Sequence, residues 1–172
     1  MVEFIDRYKP LAEYLAARGI LVTGNDHLGH GGSIRTRADY GYFAEPDGNR
    51  TVLDDLHAMT VLTKQLYPGV PYFLLGHSMG SFYARQYLCE WGSELDGAII
   101  LGTGFQPKAL VAFARTVCRV LAVFFGWQHR SRLVAELSFL GYNKGLEGRT
   151  THDWLNRDPA EVDKYLADER CT

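Results

Sequence analysis

The apolar positions of this chain follow a helical period in several stretches, and these stretches predict three helices in its first half. Residues 7–18 carry apolar side chains every three or four positions, and Gly19 is placed to end that helix. A second helix is predicted from Thr51 to the proline after residue 67, with Thr51 and Asp54 as a capping box. Residues 79–91 predict a third helix.

Short apolar runs between these helices predict three strands. The runs are residues 20–23, 72–75 and 96–101, and each is too short and too uniformly apolar for a surface helix. Strands that alternate with helices at these lengths form a parallel sheet with helices on both faces. The first half of the chain is therefore predicted to have an α/β fold.

The pattern changes after Phe105, because no further strand-like run follows and the remaining periodicity is helical. Asp158 and Pro159 have the residue types of a helix start, with an acidic cap and a proline in the first turn. We therefore expect two domains: residues 1–105 form a sheet-containing core, and residues 106–172 form a helical segment.

Composition excludes some partners and favours a reducing compartment. The formal net charge is −2 over 172 residues, so no basic surface indicates nucleic acid. The three cysteines are too few and too widely spaced for a disulfide framework, and the charged N-terminus resembles no signal peptide, so we expect a cytoplasmic protein. Asp26, His27 and His30 do not have zinc-site spacing; we predict hydrogen bonding within their loop, no metal and no cofactor.

Residues 109–127 form the most apolar segment of the chain. Arg115 and Arg119 interrupt it four positions apart, so they share one helix face and leave the others apolar. A membrane-spanning helix needs about 20 apolar residues with few charges, which favours an amphipathic helix here. Peripheral contact with a membrane, or with an apolar substrate, is the hypothesis that follows.

Residues 76–80 have the sequence Gly-His-Ser-Met-Gly, which matches the nucleophile elbow G-x-S-x-G. The context supports the match, because a predicted strand precedes it and a predicted helix follows it. We expect Ser78 to be the nucleophile and the Met79 backbone amide to donate to the oxyanion. Gly76 and Gly80 are expected to approach each other too closely for side chains. His77 is expected to have a structural role beside the sheet.

This elbow, together with the segments 25–33 and 153–165, resembles the lysophospholipase and monoacylglycerol lipase group of α/β-hydrolases, also called serine aminopeptidase-like hydrolases. The resemblance implies a partial α/β-hydrolase fold with a helical cap, and hydrolysis of carboxylic esters such as lysophospholipids or monoacylglycerols through a Ser78 acyl-enzyme. It also places residues 110–127 where the family's lid lies, within a cap of residues 106–172. The residues expected to line an acyl pocket are Phe105, Leu110, Phe113 and Val117.

Other parts expected from the family have no counterpart in the sequence. The family's His-Gly loop, which supplies a second oxyanion donor, would precede Met1, and its acid and base would follow Thr172. After Ser78 the histidines are His129 and His152, and neither follows a strand-like run. We therefore expect a fragment with little activity alone. The alternatives are a non-catalytic remnant, a pseudo-hydrolase that binds acyl ligands, and an interaction module with an open sheet edge.

Overall fold

The computed structural model describes residues 3–171. The chain divides into two compact units, Met1–Pro107 and Lys108–Thr172, whereas the sequence pattern places the boundary at residue 105. Whether the two units act as a catalytic core and a cap stays a prediction.

The first unit contains a two-stranded parallel sheet flanked by helices, which confirms the predicted α/β class. The strands are aligned so that Phe73 lies opposite Gly97 and His77 lies opposite Leu101. The regular elements of this unit, in chain order, are α1 (Lys9–Ala16), α2 (Gly48–Leu66), β1 (Phe73–His77), α3 (Met79–Trp91) and β2 (Gly97–Leu101). Short 3₁₀ turns at Ile5–Tyr8, Arg37–Asp39 and Gly92–Glu94 complete it.

The strand predicted at residues 20–23 is wrong. This segment pairs with no strand among the described residues, and Ile20 and Leu21 are 51% and 52% exposed. An apolar run becomes a strand only when a neighbouring strand offers free backbone groups along its length. The sequence contains the run, but within residues 3–171 it pairs with neither outer edge of the two-stranded sheet.

The two observed strands are shifted slightly from their predicted limits. The Asp96 carboxylate accepts a hydrogen bond from the Tyr72 amide at 2.7 Å, and the Asp96 amide donates to the Tyr72 carbonyl at 2.9 Å. These contacts close the start of the strand pair just before Phe73 and Gly97. At the other end, β1 continues to His77, so the elbow residues begin inside the strand.

Helix α2 begins earlier than predicted, and its cap is a different residue. Asp47 accepts a hydrogen bond from the Arg50 amide at 3.0 Å and so satisfies a free first-turn donor. The predicted capping box is wrong, because the Thr51 hydroxyl donates to the Asp47 carbonyl instead. Helix α1 ends at Ala16 with Ala17 as its C-cap, two residues before the predicted end, and Gly19 follows in the turn with a φ of 77°, a conformation that glycine adopts without strain.

The core of the first unit lies between α2, α3 and one face of β1. Its buried residues are Val52, Leu53, Tyr83 and Tyr87, and Leu74 of β1 packs against them. The opposite face of the two strands remains exposed. Its apolar residues are Phe73, Leu75, Ile99 and Leu101. Helices α2 and α3 cover one side of the sheet, and on the other side Tyr8 and Leu11 line a cavity with Leu75, His77 and Leu101.

The second unit is helical, as predicted. It contains α4 (Lys108–Phe125), α5 (Arg132–Ser138) and α6 (Pro159–Ala167). The Asp158 carboxylate accepts a hydrogen bond from the Ala160 amide at 2.9 Å, with Pro159 in the first turn, which confirms the predicted helix start. Within residues 3–171, no helix has the length and apolar content needed to cross a membrane.

Candidate active site

Ser78 lies at the sharp bend between β1 and α3. Its φ is 53° and its ψ is −118°, and no other non-glycine residue in the described range has a positive φ. A side chain in this region costs about 1–3 kcal/mol, and such strain is concentrated at functional sites. The bend leaves Ser78 exposed at the end of the strand. This is the position that the elbow motif predicts for a nucleophile.

Three hydrogen bonds hold the strained bend in place. The Ser78 amide donates to the Leu101 carbonyl at 3.0 Å, which ties the bend to β2. The Ser78 carbonyl accepts from the Ser81 amide at 2.9 Å and from the Ser81 hydroxyl at 2.5 Å. Ser81 is fully buried, and the motif did not identify it. A hydroxyl residue at the third position of a predicted helix was the available signal.

The space available for a side chain differs between the two elbow glycines. A Cβ on Gly76 would lie 2.4 Å from the Gly80 carbonyl oxygen and 2.8 Å from the Ala84 Cβ, so no side chain fits there. A Cβ on Gly80 would meet nothing within 4 Å. The expectation that both positions must lack a side chain is therefore correct for Gly76 and wrong for Gly80. The close approach is between a strand Cβ and a helix carbonyl.

The Met79 amide belongs to the first turn of α3, where backbone donors have no acceptor inside the helix. The positive end of the helix dipole adds to the attraction for a developing negative charge beside Ser78. The Met79 side chain packs against the buried core, so the residue is fixed in place. Its oxyanion role stays a prediction.

The glycine-rich loop after residue 24 is organised by Asp26, as the predicted loop hydrogen bonding requires. Its carboxylate accepts hydrogen bonds from the amides of Ile5 and Gly32, both at 2.7 Å. A Cβ on Gly31 would lie 2.2 Å from Asp26 Oδ2, which explains a glycine at that position. Among residues 3–171, no cluster of three or more histidine, cysteine or acidic side chains could hold a metal ion.

The two histidines of this loop are packed, not free to act as bases in water. Burial lowers the pKa of His27 to about 4, so the ring is neutral near pH 7. Burial also lowers the pKa of His30, whose ring stacks on Phe43 with 5.6 Å between the ring centroids. The His27 ring lies 5.7 Å from that of Tyr83, which connects the loop to α3.

No histidine among the described residues of the first unit is hydrogen-bonded to Ser78. His57 contacts Glu94 at 3.1 Å and stacks on Trp91, on a surface formed by α2 and the end of α3. His77 Nδ1 lies 3.4 Å from the Tyr8 hydroxyl. Within residues 3–171, no side chain is hydrogen-bonded to the Ser78 hydroxyl, which does not cap α3 either. The Ser78 hydroxyl is therefore placed at the bend without a hydrogen-bonded base among the described residues.

The two histidines that follow Ser78 in the sequence lie in the second unit. His152 Nδ1 is 2.8 Å from the Thr151 hydroxyl, and its ring lies 5.7 Å from that of Tyr165. His129 stacks against Phe125 just after α4. Neither follows a strand, in agreement with the sequence pattern.

The four residues predicted to line an acyl pocket are divided between the units. Phe105 belongs to the first unit and is 84% exposed. Leu110, Phe113 and Val117 are spaced by three and four positions, so they share one face of α4. Leu110 and Phe113 are also exposed on that face, while Val117 is half-buried. Their role in binding a substrate stays a prediction.

Comparison with known families decides the relationship that the elbow indicates. The family described as Serine aminopeptidase, S33 (Hydrolase_4) matches residues 1–172, the whole chain. The chain belongs to this family. As a Serine aminopeptidase, S33 protein it has α/β-hydrolase ancestry, and its Ser78 bend lies in a matched region.

Individual relatives of this S33 chain are lipases and an esterase. It is 34% identical to the human protein Monoglyceride lipase over 175 residues, covering 96% of this chain and 48% of that one. It is 37% identical to Monoglyceride lipase homolog of Monkeypox virus over 97 residues, which is 51% of this chain and 30% of that one. The chain therefore spans about half or less of the length of these relatives.

A solved structure has a similar backbone. A thermostable carboxyl esterase from Bacillus coagulans, crystallised in complex with glycerol, superposes with a TM-score of 0.85 at 27% identity. The match covers 98% of this chain and 54% of the esterase chain. The S33 chain thus has the backbone of about half of such an enzyme.

Proposed function

We propose that this chain carries the nucleophile of a serine ester hydrolase that acts on monoacylglycerol-like or lysophospholipid-like esters. The observation that carries the proposal is the strained Ser78, held at the junction of β1 and α3 by Leu101 and Ser81. The identity to lipases and the likeness to an esterase support an ester as the substrate.

The proposed reaction is acyl transfer to Ser78. Its Oγ attacks the ester carbonyl carbon, and the carbonyl oxygen becomes an oxyanion near the Met79 amide. The alcohol then leaves with a proton, and water hydrolyses the acyl-enzyme. The proton of Ser78 needs a base, and removal of a triad member typically lowers turnover by about 10⁴-fold to 10⁶-fold. We therefore expect slow turnover from this chain alone.

The proposal includes contact of α4 with an anionic lipid surface, from which such substrates would be taken. Between Asp96 and Glu136 the chain carries five lysines and arginines and no acidic residue. Arg115 and Arg119 lie on one face of α4, and Phe113 and Phe124 lie exposed on the other, at 63% and 75%. A cationic face opposite an aromatic face is typical of helices that lie in a membrane interface.

The proposed activity is tested by hydrolysis of a monoacylglycerol, with Ser78→Ala and Ser93→Ala compared with the parent chain. Ser93 is an exposed serine of the first unit outside the bend, so it controls for loss of a hydroxyl. We expect fatty acid release that Ser78→Ala abolishes and Ser93→Ala leaves unchanged. Release that survives Ser78→Ala would contradict the proposal.

The lipid contact has a separate test. Flotation with vesicles of phosphatidylcholine alone, and of phosphatidylcholine with phosphatidylglycerol, measures binding directly. We expect binding to the anionic vesicles only, and its loss in Phe113→Ser/Phe124→Ser and in Arg115→Gln/Arg119→Gln. Equal binding to both vesicle types, or no binding, would contradict the lipid contact but not the role of Ser78.

The second candidate function is that of a non-catalytic chain that binds acyl ligands. It is favoured by one observation, the absence of a hydrogen-bonded base at Ser78 within residues 3–171. A fatty acid or monoacylglycerol that binds the chain without release of product, equally in Ser78→Ala, would favour this alternative.

A further inference from the structure

A line of polar side chains connects the N-terminal 3₁₀ turn with the residue before Ser78. The Tyr8 hydroxyl donates a hydrogen bond to Glu3 Oε2 at 3.3 Å. The same hydroxyl lies 3.4 Å from Nδ1 of His77, which is 69 positions away in the chain. Burial and the nearby Glu3 carboxylate raise the pKa of Tyr8 to about 12, so the phenol keeps its proton near neutral pH.

The phenol has one proton, and this fixes the direction of both contacts. An ionised carboxylate can only accept, so the Tyr8 proton points to Glu3, and a charge-assisted hydrogen bond is stronger than a neutral one. The Tyr8 oxygen can then act only as an acceptor toward His77. His77 must supply the proton from Nδ1, which leaves Nε2 without one.

The other edge of the His77 ring is also confined. A Cβ on Gly102 would lie 3.3 Å from His77 Cδ2 and Nε2, so the ring lies against the turn that follows β2. The His77 backbone is paired with Leu101 in the sheet, and Leu101 also accepts the Ser78 amide. His77 is thus held by its backbone and by both edges of its ring, directly before the strained residue.

We propose that Glu3 and Tyr8 are positioning residues that hold His77 as its Nδ1–H tautomer and, through His77, keep the Ser78 bend in its strained conformation. The tautomer depends on Glu3, Tyr8 and His77 alone. The effect on Ser78 reactivity rests on the proposed function.

The tautomer is measured by long-range ¹H–¹⁵N NMR of the full chain at about pH 8, where ordinary imidazoles are neutral. His77→Gln assigns the signal. We expect the Nδ1–H form in the parent chain and a shift toward Nε2–H in Tyr8→Phe, which removes the acceptor. Glu3→Gln should move the tautomer in the same direction, because it frees the phenol proton to point to Nδ1. An Nε2–H form in the parent chain, or no change in Tyr8→Phe, overturns the proposal.

The effect on Ser78 is measured as the rate of labelling by a fluorophosphonate probe. We expect Tyr8→Phe to label about three-fold to ten-fold more slowly, the range that loss of one hydrogen bond gives. Tyr14→Phe is the matched control, because Tyr14 is an exposed tyrosine of α1 whose ring contacts Arg18 instead. Slowing by both variants would assign the effect to general damage and overturn the positioning role.

These two measurements separate the inference from the proposed function. If Ser78 labels in no variant, the proposed function fails, while the tautomer measurement still tests the hydrogen-bonded line. If Ser78 labels normally and the tautomer does not respond to Tyr8→Phe, the inference fails and the proposed function stands.

Discussion

The two faces of the small sheet differ in how much of their apolar surface is buried: the face toward α3 is called the completed face here, and the other the open face. On the side of α3, Leu74 packs onto the buried core, and Gly76 lies so close to α3 that no Cβ fits. On the other side, Phe73 and Leu75 of β1 are 60% and 40% exposed, although their residue types are those of a core. The same five-residue strand therefore has one completed face and one open face.

The difference follows from sequence distance. The completed face is built by elements close to β1 in the chain, since α2 precedes it by a short turn and α3 follows without a break. Beside the open face lie residues far away in the chain, because Tyr8 and Leu11 line a cavity there together with Leu75, His77 and Leu101. The Ser78 bend lies where β1 passes into α3, and hydrogen bonds to Ser81 of α3 and Leu101 of β2 hold it there.

The largest expected effect compares Leu53 of α2, which lies in the core beside the completed face, with Leu75 of the open face. Leu53→Ala removes a 2% exposed side chain and should lower the free energy of unfolding by about 2–5 kcal/mol, as buried leucines do. Leu75→Ala should lower it by less, about 1 kcal/mol, because Leu75 is already 40% exposed and loses less burial. Urea unfolding followed by circular dichroism measures both. Equal losses would show that the open face is buried in solution.

The pH dependence of stability tests the packed loop on the completed side. The pKa of His27 is lowered from 6.5 to about 4 in the folded chain, so the unfolded chain binds more protons between these values. The free energy of unfolding that depends on a neutral His27 is fully present above about pH 6.5. It falls as the pH decreases toward 4, by about 3 kcal/mol in total.

His27→Gln should flatten the dependence of urea midpoints on pH in that window, and His129→Gln, at an exposed histidine, should not. An unchanged slope in His27→Gln would contradict the packed, neutral ring.

A matched pair of glycine substitutions tests the contact between β1 and α3. Gly76→Ala forces a Cβ against the Gly80 carbonyl and should destabilise the chain by about 1–3 kcal/mol. Gly80→Ala has free space at a helical position, and should leave stability unchanged or raise it by up to about 1 kcal/mol. Thermal unfolding of the two variants measures the change in stability. A Gly80→Ala variant as unstable as Gly76→Ala would contradict the geometry of the bend.

The smallest effect on stability is expected on the open face. Leu75→Thr and Ile99→Thr together should change the free energy of unfolding by less than about 1 kcal/mol, because both side chains are exposed. They should, however, lower the binding of a hydrophobic dye and the tendency to associate, since large exposed apolar patches promote association. Static light scattering and dye fluorescence measure these. No change in either would show that this face is covered.

The fold class was predictable from sequence because helix and strand periods alternate clearly around residues 51–101. The strand at residues 20–23 was not, because strand formation depends on a pairing partner and the run itself carries no information about one. The start of α2 was missed by three residues, because Thr51 and Asp47 are both good caps and only the backbone decides between them.

The candidate site was predictable as far as its motif extends. The five-residue elbow located the Ser78 bend, since a strand, a tight turn and a helix need a particular order of residue types. Ser81, Tyr8 and Gly102 were not found, because each joins the bend through contacts that a local pattern does not contain. The free space beside Gly80 likewise depends on the distance between β1 and α3 and not on the motif.

The central claim, that Ser78 is the nucleophile, is tested most directly by mapping the adduct of a fluorophosphonate. The folded chain is incubated with the probe, weighed as an intact protein and digested for peptide mass spectrometry, beside a heat-unfolded sample. The account predicts one adduct per chain, located on Ser78, absent from Ser78→Ala and from the unfolded sample. Adducts spread over several serines, or none on a chain shown to be folded, would contradict it.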